Sequence, residues 1–315
     1  MNKNILVTGA CGFIGSYIVA KELRAGNKVF GTKHSPTIGN EISSYDHILN
    51  FVDITRIDQI EKLVERVKPD LVYHLAAQSY PAVSWEKPHE TFRVNIDGTF
   101  NLLESLRRHS PAARVVLACS SAQYGDVKPE DAPVLETHDL KPLHPYGVSK
   151  AATEMLGYQF HSNYGLDCIN ARIFNTTGPR KHGDVCADFC SRLVEIERSK
   201  EGTLRVGNLD TERALLDVRD TADALHKLVR FGESGESYNI SADHAIKIGL
   251  IVEILKANAL CEFQVSVDSS LIRAADEVII WGDSSKLKSA VKWVPEFKIE
   301  DTIISMINYF RARVS

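Results

Sequence analysis

The segment HPYGVSKAATEM (144–155) sets a phenol and an ammonium four residues apart, at Tyr146 and Lys150. Pro145 suits the first position of a helix, and the run 151–161 is helix-compatible until Gly165 stops it. Residues i and i+4 share one helix face, so Tyr146 and Lys150 point the same way. A free phenol titrates near pH ~10 and moves protons poorly at neutrality. A nearby ammonium favours the phenolate and lowers that value. The pair therefore reads either as a tuned proton donor and acceptor or as an exposed Tyr and Lys on an ordinary helix. The spacing alone leaves both open.

A second stretch, VTGACGFIG (7–15), places Gly9, Gly12 and Gly15 after a strand-like run and at the start of a helix-like one. Gly9 permits a tight turn, Gly12 lets a pyrophosphate approach the backbone, and Gly15 lets the helix pack on the sheet. The helix N-terminus offers N–H groups and a positive dipole end to the phosphates. The spacing is GxxGxxG rather than GxGxxG; the strand–loop–helix setting favours a dinucleotide site, with a structural turn as the alternative. At the end of the second strand an NAD-binding protein usually carries an acid for the ribose hydroxyl. FGTKHSPT (30–37) holds none, and no Asp or Glu occurs from 28 to 40; Lys33 and His34 stand there instead. A cation suits a 2′-phosphate, so NADP is favoured, with NAD as the alternative. VDI (52–54) sets Asp53 and Ile54 beside the adenine. HLAAQS (74–79) ends a strand near the pyrophosphate and nicotinamide ribose.

These groups need a scaffold. Short apolar runs at 5–10, 28–32, 47–52, 71–77, 114–121 and 166–174 alternate with amphipathic stretches near 13–25, 56–67, 91–109 and 146–162. Nearly continuous apolar strands separated by helices predict a parallel sheet covered on both faces, a doubly wound, Rossmann-like α/β domain. It fills residues 1–175, with return segments about 214–241. The regularity breaks at NTTGPRKHGDV (175–185). Helices are expected at about 186–199, 220–231 and 299–313, and a strand at 237–241. Residues 176–315 are read mainly as a smaller α/β substrate-binding domain. A ligand would lie in the crevice at the carboxyl ends of the strands.

Composition narrows the classes. The 315 residues carry a net charge of −4, which gives no electrostatic footprint for nucleic acid. No apolar run reaches membrane-spanning length, and MNKNILVTGA has no signal-peptide layout. The six cysteines form no CxxC pair and no zinc spacing, so no metal is expected and a reducing cytoplasm is the simplest setting.

Taken together, GACGFIG, HLAAQS, VNIDGT (94–99), SSAQYG (120–125), YGVSK (146–150) and RIFNTTGP (172–179) resemble the extended short-chain dehydrogenase/reductases that act on nucleotide sugars. AAQSYPAVSWEKP, VGNLDTER, DVRD and IRAADEVIIWGDSSKLK are most similar to the branch of GDP-mannose 4,6-dehydratases and GDP-6-deoxy-4-keto-mannose reductases. The resemblance implies that Tyr146 is the acid/base, that Lys150 lowers its pKa and holds the nicotinamide ribose, and that Ser120 hydrogen-bonds the reacting oxygen. It extends the cofactor set to Phe13, Ile14, Leu75, Ala76, Ala77 and Ile173. On the substrate side it implies Ser79, Asn175 against the diphosphate and Asp276 against the nucleoside ribose. Arg213 and Arg273 are candidates for the phosphates, because guanidinium forks match phosphate oxygens. Such enzymes commonly pair as homodimers through helices like those near 91–109 and 146–162.

One departure sets the expected reaction. The 4,6-dehydratases of this family generally carry Glu two residues after the catalytic Ser or Thr, as the base that removes the carbon-5 proton. That position is Ala122, and Gln123 beside it is not a base. Arg273-Ala274-Ala275-Asp276 likewise departs from the family's RPxE. Redox at carbon 4 remains: reduction of a 4-keto sugar or 4-epimerisation, with GDP-sugars favoured. The alternatives are a 4,6-dehydratase and a non-catalytic cofactor sensor.

Overall fold

The computed structural model describes residues 2–34, 43–125, 127–271 and 281–314. Arg273 and Asp276 lie outside the described residues. The chain opens with β1 (Asn4–Thr8), α1 (Phe13–Arg24), β2 (Lys28–Lys33), β3 (Leu49–Phe51), α2 (Ile57–Val67) and β4 (Leu71–His74). Two short helices follow, α3 (Pro81–Glu86) and α4 (Pro88–Phe92), each with proline in its first turn, where a missing N–H costs nothing. The helix expected over 91–109 is interrupted: α4 passes through a π-helical turn, Arg93–Asp97, before α5 (Gly98–His109). Then come β5 (Arg114–Ser120), α6 (Pro145–Tyr164) and β6 (Asp167–Ile173).

Beyond β6 lie β7 (Thr176–Thr177), α7 (Val185–Ser199), β8 (Thr203–Val206), β9 (Glu212–Arg213), β10 (Leu216–Asp217) and α8 (Val218–Phe231). The chain continues with β11 (Ser237–Ile240), β12 (Ile246–Lys247), α9 (Ile248–Asn258), β13 (Gln264–Val267), α10 (Ser285–Val291) and α11 (Ile299–Val314).

Seven strands form one parallel sheet in the order β11-β6-β5-β4-β1-β2-β3. The strand alternation of period two divides their side chains between two cores. Ile5, Val7, Tyr73, Val116 and Ile169 face α1 and α8. Leu6, Val72, Val115, Leu117 and Cys168 face α2, α5 and α6. Both sets are buried, which is why these strands read as unbroken apolar runs. The strand order reverses between β1 and β4, and the ends of those two strands flank the crevice where such sheets bind ligands.

A third core gathers Cys186, Phe189 and Leu193 of α7, Leu204 and Val206 of β8, Ile251 and Leu255 of α9, and Ile303 and Ile307 of α11. Short ladders support it, β8 with β13 and β9 with β12. Among the described residues no helix is long and apolar enough to cross a membrane.

Candidate active site

The turn after β1 is built for close approach. Gly9 has φ +68°, and a Cβ there would lie 2.8 Å from the Ala76 nitrogen. At Gly15 a Cβ would come within 2.1 Å of the Gly9 carbonyl oxygen, and at Gly12 within 3.1 Å of the same atom. The Gly12 N–H donates to that carbonyl at 2.9 Å and closes the turn. Gly12 at the cap position of α1 has no side chain to offer, and among the described residues none caps that helix. Phe13 and Ile14 stand in that turn, half-buried. This backbone cradle with a bare helix N-terminus fits a dinucleotide pyrophosphate.

A buried hydroxyl–imidazole chain fixes the opposite wall. The N–H groups of Leu75 and Ala76 donate to Thr8 Oγ1, each at 3.2 Å. Thr8 Oγ1 lies 2.8 Å from His74 Nδ1, and His74 Nε2 lies 3.0 Å from Thr99 Oγ1, which donates to the Asn95 carbonyl. Every group is satisfied if His74 carries its proton on Nε2. Burial, with Lys150 next, pushes His74 down to about 3, so this ring is neutral and structural. Asn95 continues the chain, accepting from the Gln78 N–H at 2.8 Å and donating to Ser149 Oγ at 2.9 Å. Ala77 is half-buried and Ser79 exposed beyond it.

At the end of β2 the structure supplies an acid that 28–40 lacks. Lys33 Nζ lies 2.5 Å from Asp46 Oδ1, in the 3-10 turn before β3. His34 stacks on Phe51 with ring centres 6.4 Å apart, and its Nε2 is 3.7 Å from Asp53 Oδ2. The Asp53 carboxylate also accepts from the Thr55 backbone and hydroxyl, at 2.9 and 2.8 Å. Ile54 is buried, its Cδ1 2.6 Å from where a Gly98 side chain would begin.

β5 and α6 bring Ser120, Tyr146 and Lys150 together. His144 caps α6, its Nδ1 accepting the Gly147 N–H at 3.0 Å, and its ring stacks on Tyr146 at 6.0 Å. A Cβ on Gly147 would fall 2.5 Å from the Ala122 carbonyl oxygen, so only glycine lets the helix start sit on the turn after β5. The Ser120 hydroxyl stands close enough to the Tyr146 phenol to pull its titration down. Lys150 Nζ donates to the Ala118 carbonyl at 2.7 Å and lies 5.9 Å from the centre of the Tyr146 ring.

The electrostatics correct one expectation. Within the chain itself the Tyr146 phenol is raised, not lowered: burial outweighs the Ser120 hydrogen bond. The ammonium expected to lower it is turned to a carbonyl and is itself pushed by burial down to about 8.

Ile173 pairs in register with Ser120 across β5 and β6. Asn175 is exposed just past β6, its carbonyl accepting the Leu216 N–H at 2.9 Å. Arg213 lies on β9, half-buried, and donates to the Glu212 carbonyl at 2.8 Å. The loop after β7 crosses to α1: Tyr17 Oη donates to the Pro179 carbonyl at 2.9 Å, Arg180 to Ser16 Oγ at 3.0 Å, and Lys181 Nζ stands 5.0 Å from the Phe13 ring centre. Asp184 accepts the Ala187 N–H at 2.8 Å as the cap of α7. Ala122 is half-buried beside Ser120 and carries only a methyl group.

Sequence reasoning missed Asp46, His144, Asn95 and the Thr8–His74 pair. A proline at a helix start does point to the residue before it as the cap, which is the one local signal for His144.

The family model described as GDP-mannose 4,6 dehydratase matches residues 6–306. Over 316 aligned residues the chain is 29% identical to the GDP-6-deoxy-D-mannose reductase of Pseudomonas aeruginosa, covering 100% of this chain and 99% of that one. A solved structure of RMD from Pseudomonas aeruginosa complexed with NADPH superposes with a TM-score of 0.86 at 28% identity, over 99% of each chain. The UDP-glucose 4-epimerase of Thermus thermophilus in complex with NAD gives a TM-score of 0.85 at 29% identity, over 98% of each.

Proposed function

Because the chain belongs to the GDP-mannose 4,6-dehydratase family, we propose that it is an NAD(P)-dependent nucleotide-sugar oxidoreductase that reduces a 4-keto sugar carried on GDP. The observation that carries this reading is an assembled Ser120–Tyr146–Lys150 centre with no carboxylate at position 122. The cofactor supplies hydride exchange at carbon 4. Tyr146, a phenol at neutral pH, gives its proton to the carbonyl oxygen as that oxygen gains charge. Ser120 donates a hydrogen bond to the same oxygen and positions it. Lys150, its titration brought down to about 8 by burial, is still charged at pH 7 and would favour the tyrosinate left behind once that charge develops.

The same residues run in the opposite direction for a 4-epimerase, a second reading supported by the likeness to an NAD-bound epimerase structure. A dehydratase needs a base at carbon 5. The methyl group of Ala122 cannot serve, and Asp184 has its Oδ1 engaged as the cap of α7.

Gly9, Gly12, Phe13, Ile14 and Gly15 hold the pyrophosphate in this reading, and Asp53, Ile54, Leu75, Ala76, Ala77 and Ile173 line the rest of the cofactor. Lys33 favours NADP, with Asp46 as its competitor for the ammonium. Ser79, Asn175, Arg213, Arg273 and Asp276 receive the nucleotide-sugar. Phe100 on α5 and Val148, Met155 and Tyr158 on α6 are exposed apolar groups suited to a homodimer contact. Free thiols throughout suit a reducing cytoplasm.

The test is incubation with GDP-4-keto-6-deoxymannose and NADPH, and separately with GDP-mannose, read by mass spectrometry and NMR. Oxidation of NADPH with gain of a hydrogen pair by the sugar is expected. Loss of water from GDP-mannose, with no reduction of the keto sugar, would overturn the assignment.

A further inference from the structure

We propose that Glu154 and Gln123 form a relay that positions Ser120 from the same helix that carries Tyr146 and Lys150. The proposal rests on the reading of Ser120 as the group that hydrogen-bonds the reacting oxygen. Tyr146, Lys150 and Glu154 stand four apart on α6, so one helix face presents all three. Glu154 is buried. Arg172 of β6 grips its carboxylate with two nitrogens, Ser237 Oγ donates to it at 2.8 Å, and Gln123 Nε2 donates to Oε2. Arg172 is itself fixed by the Glu136 carbonyl at 2.8 Å and the Tyr124 hydroxyl at 2.7 Å, and Tyr124 donates to Asn239 at 2.7 Å.

This frame decides which way the Gln123 amide faces. An ionised carboxylate only accepts, so the amide nitrogen must turn to Glu154. The amide oxygen is thereby aimed at the Ser120 N–H, 3.4 Å away. With the Ala122 N–H donating to Ser120 Oγ at 3.2 Å, the two contacts lock Ser120 at the start of the turn in an extended conformation. Its hydroxyl is then fixed on the side of the Tyr146 phenol, whose titration it draws down against burial. The Glu154–Arg172 pair would tie α6 to β6 without any glutamine. What Gln123 adds is the link from that pair to Ser120, in a side chain whose chemistry excludes it as a base.

Gln123→Met removes the amide and leaves Glu154 its contacts with Arg172 and Ser237. With GDP-4-keto-6-deoxymannose and NADPH, kcat should fall about 10-fold while KM stays within about twofold, the split expected when only transition-state contacts suffer. Circular dichroism and NADPH binding by fluorescence should be unchanged. In a Ser120→Ala background the same substitution should cost less than about twofold, because no hydroxyl remains to be positioned. Penalties that multiply fully in that background would show that Gln123 acts on the fold and not through Ser120, and would overturn the relay. If Gln123→Met melts below the assay temperature, Gln123→Asn, too short to span both partners, carries the same expectations. Wild-type turnover in Ser120→Ala alone would remove the reading of Ser120 and the relay with it.

Discussion

Lys150 is held in the fold at a cost, and Lys150→Met should expose it. The residue is 6% exposed, and burial brings its titration from the ordinary 10.5 to about 8. A shift of that size corresponds to about 3 kcal/mol against the charged form. The charged hydrogen bond to the Ala118 carbonyl returns about 1.5 kcal/mol. Methionine fills similar volume without the charge, so at pH 7 the variant should be more stable by about 1–2 kcal/mol, roughly 2–3 °C in Tm for a chain of this size. The pH dependence carries the sign. Between pH 10.5 and about 8 the unfolded chain takes up a proton that the folded chain refuses. Wild-type stability therefore falls as pH drops through that window and is level below it. The methionine variant lacks this slope. Urea unfolding of both proteins from pH 7 to 10.5 should show the gap close as pH rises. The same variant should lose turnover and bind NADPH more weakly. A variant less stable than wild type at every pH, by a constant amount, would refute the reasoning.

Tyr146→Phe should fold and bind NADPH much as wild type does and lose about 10²-fold or more in turnover, a general acid–base scale of loss measured under saturating substrate. Lys33→Ala should weaken NADPH and leave NADH nearly unchanged, whereas Asp46→Asn should tighten NADPH by freeing the ammonium; fluorescence titration that finds neither response removes Lys33 from cofactor choice. The paired variant Met155→Glu/Tyr158→Glu should shift the sedimentation coefficient from dimer to monomer, and a monomeric wild type at micromolar concentration would end the dimer proposal.

Features confined to one turn or one helix were legible in the sequence. The three glycines and the Tyr146–Lys150 spacing depend on a few consecutive residues, and the structure folds those residues as a strand, a tight turn and a helix start. β1, β4, β5 and β6 were legible for a different reason: both faces of the sheet are covered, so apolar character runs unbroken. Groups assembled from distant chain were not. Asp46 reaches Lys33 from 13 residues away, and Glu154 reaches Gln123 from 31. The direction of the Tyr146 shift depends on burial, which no local spacing encodes. α3 and α4 are too short to show a period, and α9 is apolar over most of its surface, so its helical stripe is blurred.

The place of α8 and β11 in the sheet has a consequence for how the protein is made. The core on one face joins Ile5, Tyr73 and Val116 from early in the chain to Leu225, Leu228 and Tyr238, which arrive late. A nascent chain that has emerged to residue 175 has six strands in hand, with β6 as an open edge and the layer that α8 will cover still bare. Residues 176–240 follow at about 5–20 residues per second, so that surface faces the ribosome exit for about 3–13 s. Chaperone demand should peak in this interval. A chain arrested within it carries an adhesive face and β6 as its edge, whereas one that passes it has α8 over that face and β11 paired to β6. The same core also takes Leu287, Val291 and Trp293, so it is finished only when the chain as far as residue 293 has followed.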